Sequence, residues 1–414
     1  MKIAVIDQLG NYGGVSRVIK NLLPALKEID GDLEINYFSN FKAVKREKLL
    51  FYLEKKNIKI TYLQFDWLAS SKIIELLKLN NFIIKFQTKF RKILSFLPIF
   101  ISGNLQKELE KRIKNYDLAL FPWPFLINLP NLKCPIVGIF HDFNYKYYFA
   151  GQPTYFPNQL KHLNKNVPLW LKNTYPVVSN NFIKNEVKKF YPEFYKKTNV
   201  INLGPYSAKI ANKNKKKKIK EFKFKYILCP TNLCGHKNLG ILLVAFNKVS
   251  KIFPKLKLVL TGPYTDLVNG KSSVIGLELV DQKRNIIGLG YVADDLLENL
   301  ISNSLMVLSP SVYEADNGPC TDAWYHSVPV AMANIPSNLE HIKNQKVHAS
   351  LFDPYDYLSV SNAIIKVLKK YKYYKQLSKI SKKNISQNYT WVKTASAYYE
   401  LFKKINDYKK LDKL

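Results

Sequence analysis

Short apolar runs alternate with helical-period stretches along most of this chain. It opens on KIAVID (residues 2–7), and NYGGVSRVIKNLLPAL (11–26) follows with apolar residues at helical spacing. LALF (118–121), PIVGIF (135–140) and YPVVS (175–179) are again short, apolar and partly β-branched. Such runs suit parallel strands covered on both faces. The lysine block KIANKNKKKKIKEFKFK (209–225) cannot pack and predicts a solvated linker. Beyond it the alternation restarts with YILCP (226–230), a helix from about Asn238, LKLVLTG (256–262), NIIGLGYV (285–292), LMVLSPS (305–311) and PVAMAN (329–334). The pattern predicts an α/β protein of two Rossmann-like, doubly wound units in series, at 1–208 and 226–386, joined by the linker 209–225. A tail at 387–414 holds the amphipathic stretch YTWVKTASAYYELFKKI (389–405). That helix fits two dockings, as a packing helix of the second unit or as one crossing back to the first.

Composition narrows the class. A length of 414 residues exceeds one ordinary core, and a hydrophobic share of 47% is enough to bury two. Cys134, Cys229, Cys234 and Cys320 form no CxxC pair, so a reducing compartment is expected, with neither a disulfide frame nor a zinc site. The first residues lack the charged start and cleavage site of a signal peptide. No stretch approaches the roughly 18 apolar residues of a spanning helix. The expectation is a cytoplasmic protein, soluble or peripheral on the inner face of the cell membrane.

The net charge of +33 implies an anionic partner: nucleic acid, phospholipid headgroups or phosphorylated substrates. Only Arg17, Arg46, Arg91, Arg112 and Arg284 are arginines. That is a poor supply for base readout, so nucleic acid is not expected. The segment 73–101 interleaves lysine with Phe82, Phe86, Phe90 and Phe96. It reads either as a helix lying on an anionic membrane surface or as one packing on the domain's own core.

Candidate chemistry falls at strand ends, where open α/β sheets bind ligands. After the first strand, Gly13 and Gly14 sit in the turn before a helix, where backbone amides can approach an anion. The turn is not GxGxxG, and INYFSN (35–40) offers no acid for a ribose, which disfavours a dinucleotide-dependent oxidoreductase. IFHD places His141 and Asp142 past another strand. CPTNLCGHKNLG (229–240) sets Asn232 in a loop and Lys237 at a helix entry, a point charge for an anion. YEADNGPCTDAW (313–324) holds Glu314 and Asp322 on either side of a turn through Asn317, Gly318 and Pro319. A helix starting at Pro319 would leave the amides of Cys320 and Thr321 to face a phosphate. Glu314 can accept from sugar hydroxyls and Asp322 from ribose hydroxyls. The lone DxD, Asp30-Gly31-Asp32, follows a helix and reads as a turn.

These residues carry a family resemblance. GGVSRV (13–18), HD (141–142), HKN (236–238), LGYV (289–292), PSVYE (310–314) and YTWVKTASAYYEL (389–401) resemble the retaining glycosyltransferases of the GT-B fold, in the large family numbered four. Three departures stand out. Asp322 replaces the second glutamate of Glu-x7-Glu, ADNGP replaces the usual Gly-Phe-Gly-Leu-Pro turn, and Asn232 stands where an arginine normally accompanies the lysine. The resemblance implies two domains facing each other across a cleft, with the tail helix crossing back. It implies transfer of a hexose or deoxyhexose, of mannose or rhamnose type, from a nucleotide-sugar to a glycan acceptor. If the 73–101 segment lies on a membrane, the acceptor would be lipid-linked, in bacterial surface polysaccharide synthesis such as O-antigen or capsule. Glu314 would bind the donor sugar and His141 would sit at the reacting centre. Lys237, with the Cys320 and Thr321 amides, would meet the diphosphate, the turn at Gly13 and Gly14 would approach the phosphate or the acceptor, and backbone groups near Tyr291 and Val292 would meet the base. Neither a metal nor another cofactor is expected. Two rival readings are a basic membrane- or nucleic-acid-binding protein with a vestigial cleft, and a nucleotide-sugar epimerase of the same fold.

Overall fold

The computed structural model describes residues 1–7, 13–40, 47–63, 109–124, 128–149, 152–153, 157–206, 222–270, 274, 276–281 and 283–411. The 73–101 segment and residues 209–221 of the linker lie outside them.

The first domain is built on a seven-stranded parallel sheet. Its strands are β1 (Lys2–Ile6), β2 (Glu34–Asn40), β3 (Lys59–Leu63), β4 (Leu118–Phe121), β5 (Ile136–Ile139), β6 (Tyr175–Val178) and β7 (Asn199–Val200). They lie in the order β3-β2-β1-β4-β5-β6-β7. Successive side chains of a strand point to opposite faces, so β1 feeds two cores. Ile3 and Val5 join Leu22 and Leu26 of helix α1 (Gly14–Ile29), while Ala4 and Ile6 join Phe121 and Trp170 on the other side. Burial on both faces explains why the inner strands read as continuous apolar runs.

A second parallel sheet repeats the plan. It comprises β8 (Tyr226–Pro230), β9 (Lys257–Thr261), β10 (Ile286–Gly288), β11 (Val307–Ser309), β12 (Val330–Ala333) and β13 (Ser350–Phe352), in the order β10-β9-β8-β11-β12-β13. Ile227 and Cys229 face one core, Tyr226 and Leu228 the other. The edge strands β3 and β13 escape the sequence pattern for a physical reason. The first, KITYL, carries Lys59 and Thr61, and the second, SLF, is only three residues long and opens on Ser350, so neither is a continuous apolar run.

The tail forms a helix, Trp391–Leu411, that crosses back to the first domain. Trp391, Ala395, Tyr398, Phe402 and Ile405 share one helical face and enter the core that holds Ile3 and Leu22. The Trp391 indole donates to the Pro205 carbonyl at 2.7 Å, Thr394 to the Asn202 carbonyl at 2.8 Å, and the Tyr399 hydroxyl to Asp30 at 2.7 Å. Only glycine fits at 204, because a Cβ there would stand 2.8 Å from the Trp391 amide nitrogen. Of the two dockings the tail pattern allows, the structure adopts the crossing.

In each sheet the strand order reverses once, between β1 and β4 and between β8 and β11. Ligand crevices open at such reversals, at the carboxyl ends of the strands. Here the two crevices meet across the domain boundary.

Candidate functional site

A cleft cavity of about 260 Å³ lies at that meeting point. The first domain lines it with Gly14, Trp123, His141, Asp142, Asn144 and Tyr206, and the second with His236, Lys237, Tyr313, Glu314 and Asp316. Lys237 ends a single 3-10 turn (Gly235–Lys237) after β8, and the left-handed Asn238 then opens helix α2 (Leu239–Ile252). Glu314 follows β11. The two side chains meet at 2.7 Å, with 21% and 13% of their surfaces exposed. Burial alone would push the Glu314 carboxyl up, but the Lys237 ammonium, its hydrogen bond and that of Ser311 outweigh it and hold Glu314 below the usual range. Glu314 is therefore ionised at neutral pH.

His141 presents a neutral ring. Burial depresses it to about 4, against a smaller opposing effect of the Pro122 carbonyl. That carbonyl lies 2.9 Å from Nε2, so Nε2 carries the hydrogen and donates. The ring stacks on Trp123, with centroids 5.4 Å apart. His236 is likewise lowered to about 4, by burial and then by Lys237. Asp142 moves the other way: burial raises it to about 6, against the Asn144 amide and Lys237. Burial also raises Asp316, which stands 3.7 Å from His341. The cavity thus pairs one fixed cation with carboxylates of graded acidity.

The structure separates some residues that the sequence placed together. Asp322 is buried and lines a different, smaller cavity with Arg17, Lys20 and Asp294, and Tyr206 lines both. The Tyr206 ring lies against Gly318, where a Cβ would stand 2.4 Å from its Cε2. Helix α3 (Gly318–Tyr325) begins one residue earlier than expected. That shift corrects the reading of its amides: those of Cys320 and Thr321 are not free, because they donate to the Asn317 carbonyl at 3.1 and 3.0 Å. Asn317 is buried, its side chain donating to Ser309 at 2.8 Å and Asn338 at 3.1 Å. Asn232 closes its own turn by accepting from the Cys234 amide at 3.0 Å, and neither it nor Tyr291 nor Val292 lines the cleft cavity. Gly13, exposed at φ 138°, takes a backbone conformation open to glycine, and Gly14 reaches the cavity wall.

Trp123, Asn144, Tyr206, Tyr313 and Asp316 reach the cavity without having been singled out. Trp123 and Asn144 flank strand ends and were findable by that rule; Tyr206 follows β7 at the domain junction and carries no local signal. Among the described residues, no cluster of three or more His, Cys, Asp or Glu side chains is arranged to hold a metal ion. No described helix is long and apolar enough to cross a membrane.

Comparison with known proteins adds the family context. Residues 211–384 match the model of the family described as Glycosyl transferases group 1. Among solved structures, the chain is similar to a glycosyltransferase from Rickettsia africae, with 17% identity, a TM-score of 0.65 and 98% of both chains covered. It is similar to HepE of Anabaena in complex with UDP and glucose, with 16% identity, a TM-score of 0.67, and 98% of this chain and 100% of that one covered. It is also similar to WaaG, a glycosyltransferase involved in lipopolysaccharide biosynthesis, with 12% identity, a TM-score of 0.64, and 95% and 98% covered. No curated protein matches by sequence. The chain is thus a two-domain protein of the GT-B fold whose residues 211–384 match the group 1 glycosyl transferases.

Proposed function

We propose that the protein is a retaining glycosyltransferase that moves a hexose or deoxyhexose from a nucleotide-sugar to a glycan acceptor, without a metal. The observation that carries this reading is the single cavity in which Glu314 and Lys237 of one domain face His141 and Asp142 of the other. The match of residues 211–384 to the group 1 glycosyl transferases supports it. So do similar structures that hold UDP-glucose, in HepE, or act in lipopolysaccharide synthesis, in WaaG.

In this account the ionised Glu314 accepts hydrogen bonds from the donor sugar's hydroxyls. Lys237 swings its ammonium between Glu314 and the leaving diphosphate, whose charge develops as the bond from the anomeric carbon to the phosphate oxygen breaks. The acceptor hydroxyl forms the new bond to that carbon on the same face, and its proton passes to the departing phosphate oxygen. His141 stays neutral throughout and shapes the wall against which the acceptor rests. Asp322 reaches the ribose once Tyr206 shifts off Gly318. The charge of +33 supports a peripheral position on an anionic membrane, which presents a lipid-linked acceptor.

The test is a donor screen. UDP-, GDP-, ADP- and dTDP-hexoses are each incubated with the protein, and release of nucleoside diphosphate is followed with and without bacterial lipid extract as acceptor. The expected result is turnover with one nucleotide class, lost in Glu314→Ala. Absence of binding or turnover for every donor refutes the reading.

A further inference from the structure

The loop that carries Glu314 belongs to the second domain, yet the first domain holds it on both sides. Before Glu314, the Tyr313 hydroxyl accepts from the Phe143 amide at 3.1 Å, and its ring packs on Tyr147 and Phe182, with centroids 5.4 and 5.7 Å away. After it, the Ala315 carbonyl accepts from the side-chain amide of Asn180, and Ala315 packs against the first domain's core. Asn180 is 3% exposed and uses both ends of its amide. Its oxygen caps the helix Asn181–Phe190 by accepting from the Ile183 amide at 2.9 Å, and its nitrogen reaches across the boundary. The same helix start is gripped from the second domain, where the two carboxylate oxygens of Glu340 accept from the amides of Asn181 and Phe182 at 2.8 and 2.6 Å. The helix start is therefore held against the second domain by Glu340 and also reaches the Glu314 loop through Asn180.

We infer that Asn180 is a positioning residue for Glu314, rigidly capped in the first domain and setting the carboxylate that the proposed function places on the donor sugar. Tyr313 sets the other flank. Glu314 takes its working position only while the two domains are closed on each other, so the sugar-holding acid is completed by the acceptor-side domain. This rests on the glycosyltransferase reading for its chemistry, but not for the contact itself.

Two variants separate positioning from folding. Asn180→Ser keeps a good helix cap while losing the long amide that reaches Ala315. Tyr313→Phe keeps the packed ring and loses only the hydroxyl. Hydrogen exchange read by mass spectrometry on the full chain needs no substrate. In Asn180→Ser the amides of residues 315–318 should exchange about 10-fold faster, while those of β8 and β11 stay as in the wild type. Unchanged exchange at 315–318 overturns the inference whatever the activity. With the donor found by the screen, turnover should fall about 10- to 100-fold in both variants, the scale of a misplaced reacting group. Affinity for UDP or GDP alone should be unchanged, because neither carries the sugar. A loss of diphosphate affinity equal to the loss of turnover also overturns it. A wild-type protein that binds no nucleoside diphosphate but shows the exchange change refutes the functional reading and leaves the contact standing.

Discussion

Replacing Lys237 with methionine keeps most of the side chain's volume and leaves Glu314 buried without its cation. At 2.7 Å and an effective dielectric of about 20, the pair's attraction is about 6 kcal/mol before desolvation. Removing one partner of a buried pair costs about 3–5 kcal/mol, because the remaining charge stays unsolvated. With 21% and 13% of the two side chains exposed, the lower end applies, about 3 kcal/mol. For a domain of this size that lowers the melting temperature by about 6–12 °C at pH 7.5.

The pH dependence has a definite sign. In the wild type Glu314 lies below its ordinary value of 4.5, so its pairing stabilises the fold above that value and is lost as pH falls through the depressed one. In Lys237→Met burial, the largest influence, is opposed only by the smaller effects of the Ser311 hydrogen bond and His236 and raises Glu314, so the penalty is full at pH 7.5 and shrinks as the carboxyl takes up its proton on the way to pH 4.5. The second substitution, Glu314→Gln, removes the stranded charge and should return Lys237→Met to within about 1 kcal/mol of the wild type, since neutral replacements of buried pairs are commonly tolerated. Differential scanning calorimetry of the four proteins at pH 7.5 and 4.5 measures this. A drop under about 2 °C, or one that is equal at both pH values, refutes the assignment of Lys237 as the counter-charge of Glu314.

Other consequences can be measured without a substrate. Gly318→Ala drives a Cβ to within 2.4 Å of the Tyr206 ring and should cost about 1–3 kcal/mol by overpacking, a cost relieved in Tyr206→Ala/Gly318→Ala; additive losses in the thermal scans would contradict the contact. His141 and His236, each held near 4, bind a proton more readily unfolded, so stability should fall as pH drops from about 6.5 to 4. His236→Gln should flatten that part of the profile, and an unchanged slope would contradict the shift. Trp391→Ala empties a buried ring site and strands the Pro205 carbonyl, so a loss of about 3–5 kcal/mol is expected, with limited proteolysis opening first in the tail helix; a tail that stays protected would contradict its crossing dock.

The parts of this fold legible in the sequence are those set by local pattern. β1, β4, β8 and β9 are buried on both faces and read as apolar runs, and Glu314, Lys237 and His141 could be placed because each follows such a run. Long-range geometry was not legible. The contacts Asn180–Ala315 and Phe143–Tyr313 span 135 and 170 residues, and no local periodicity records them. The pairing of the Cys320 and Thr321 amides is not legible in the sequence because a one-residue shift in a helix start decides which amides are free, and Gly318, not Pro319, opens the helix. Spacing around the turn and the resemblance to Glu-x7-Glu group Asp322 with Glu314, while Tyr206, arriving from the domain junction, lines both of their cavities.

Calorimetric titration of UDP, GDP and ADP, each beside its free nucleoside, onto the wild type and Lys237→Ala tests the central claim most directly. The account predicts that one diphosphate binds the wild type and loses about 10- to 100-fold in affinity on removal of Lys237, the scale of a hydrogen bond to a charged group, while its nucleoside binds both proteins alike. No diphosphate binding to the wild type, or equal losses for diphosphate and nucleoside, would contradict it.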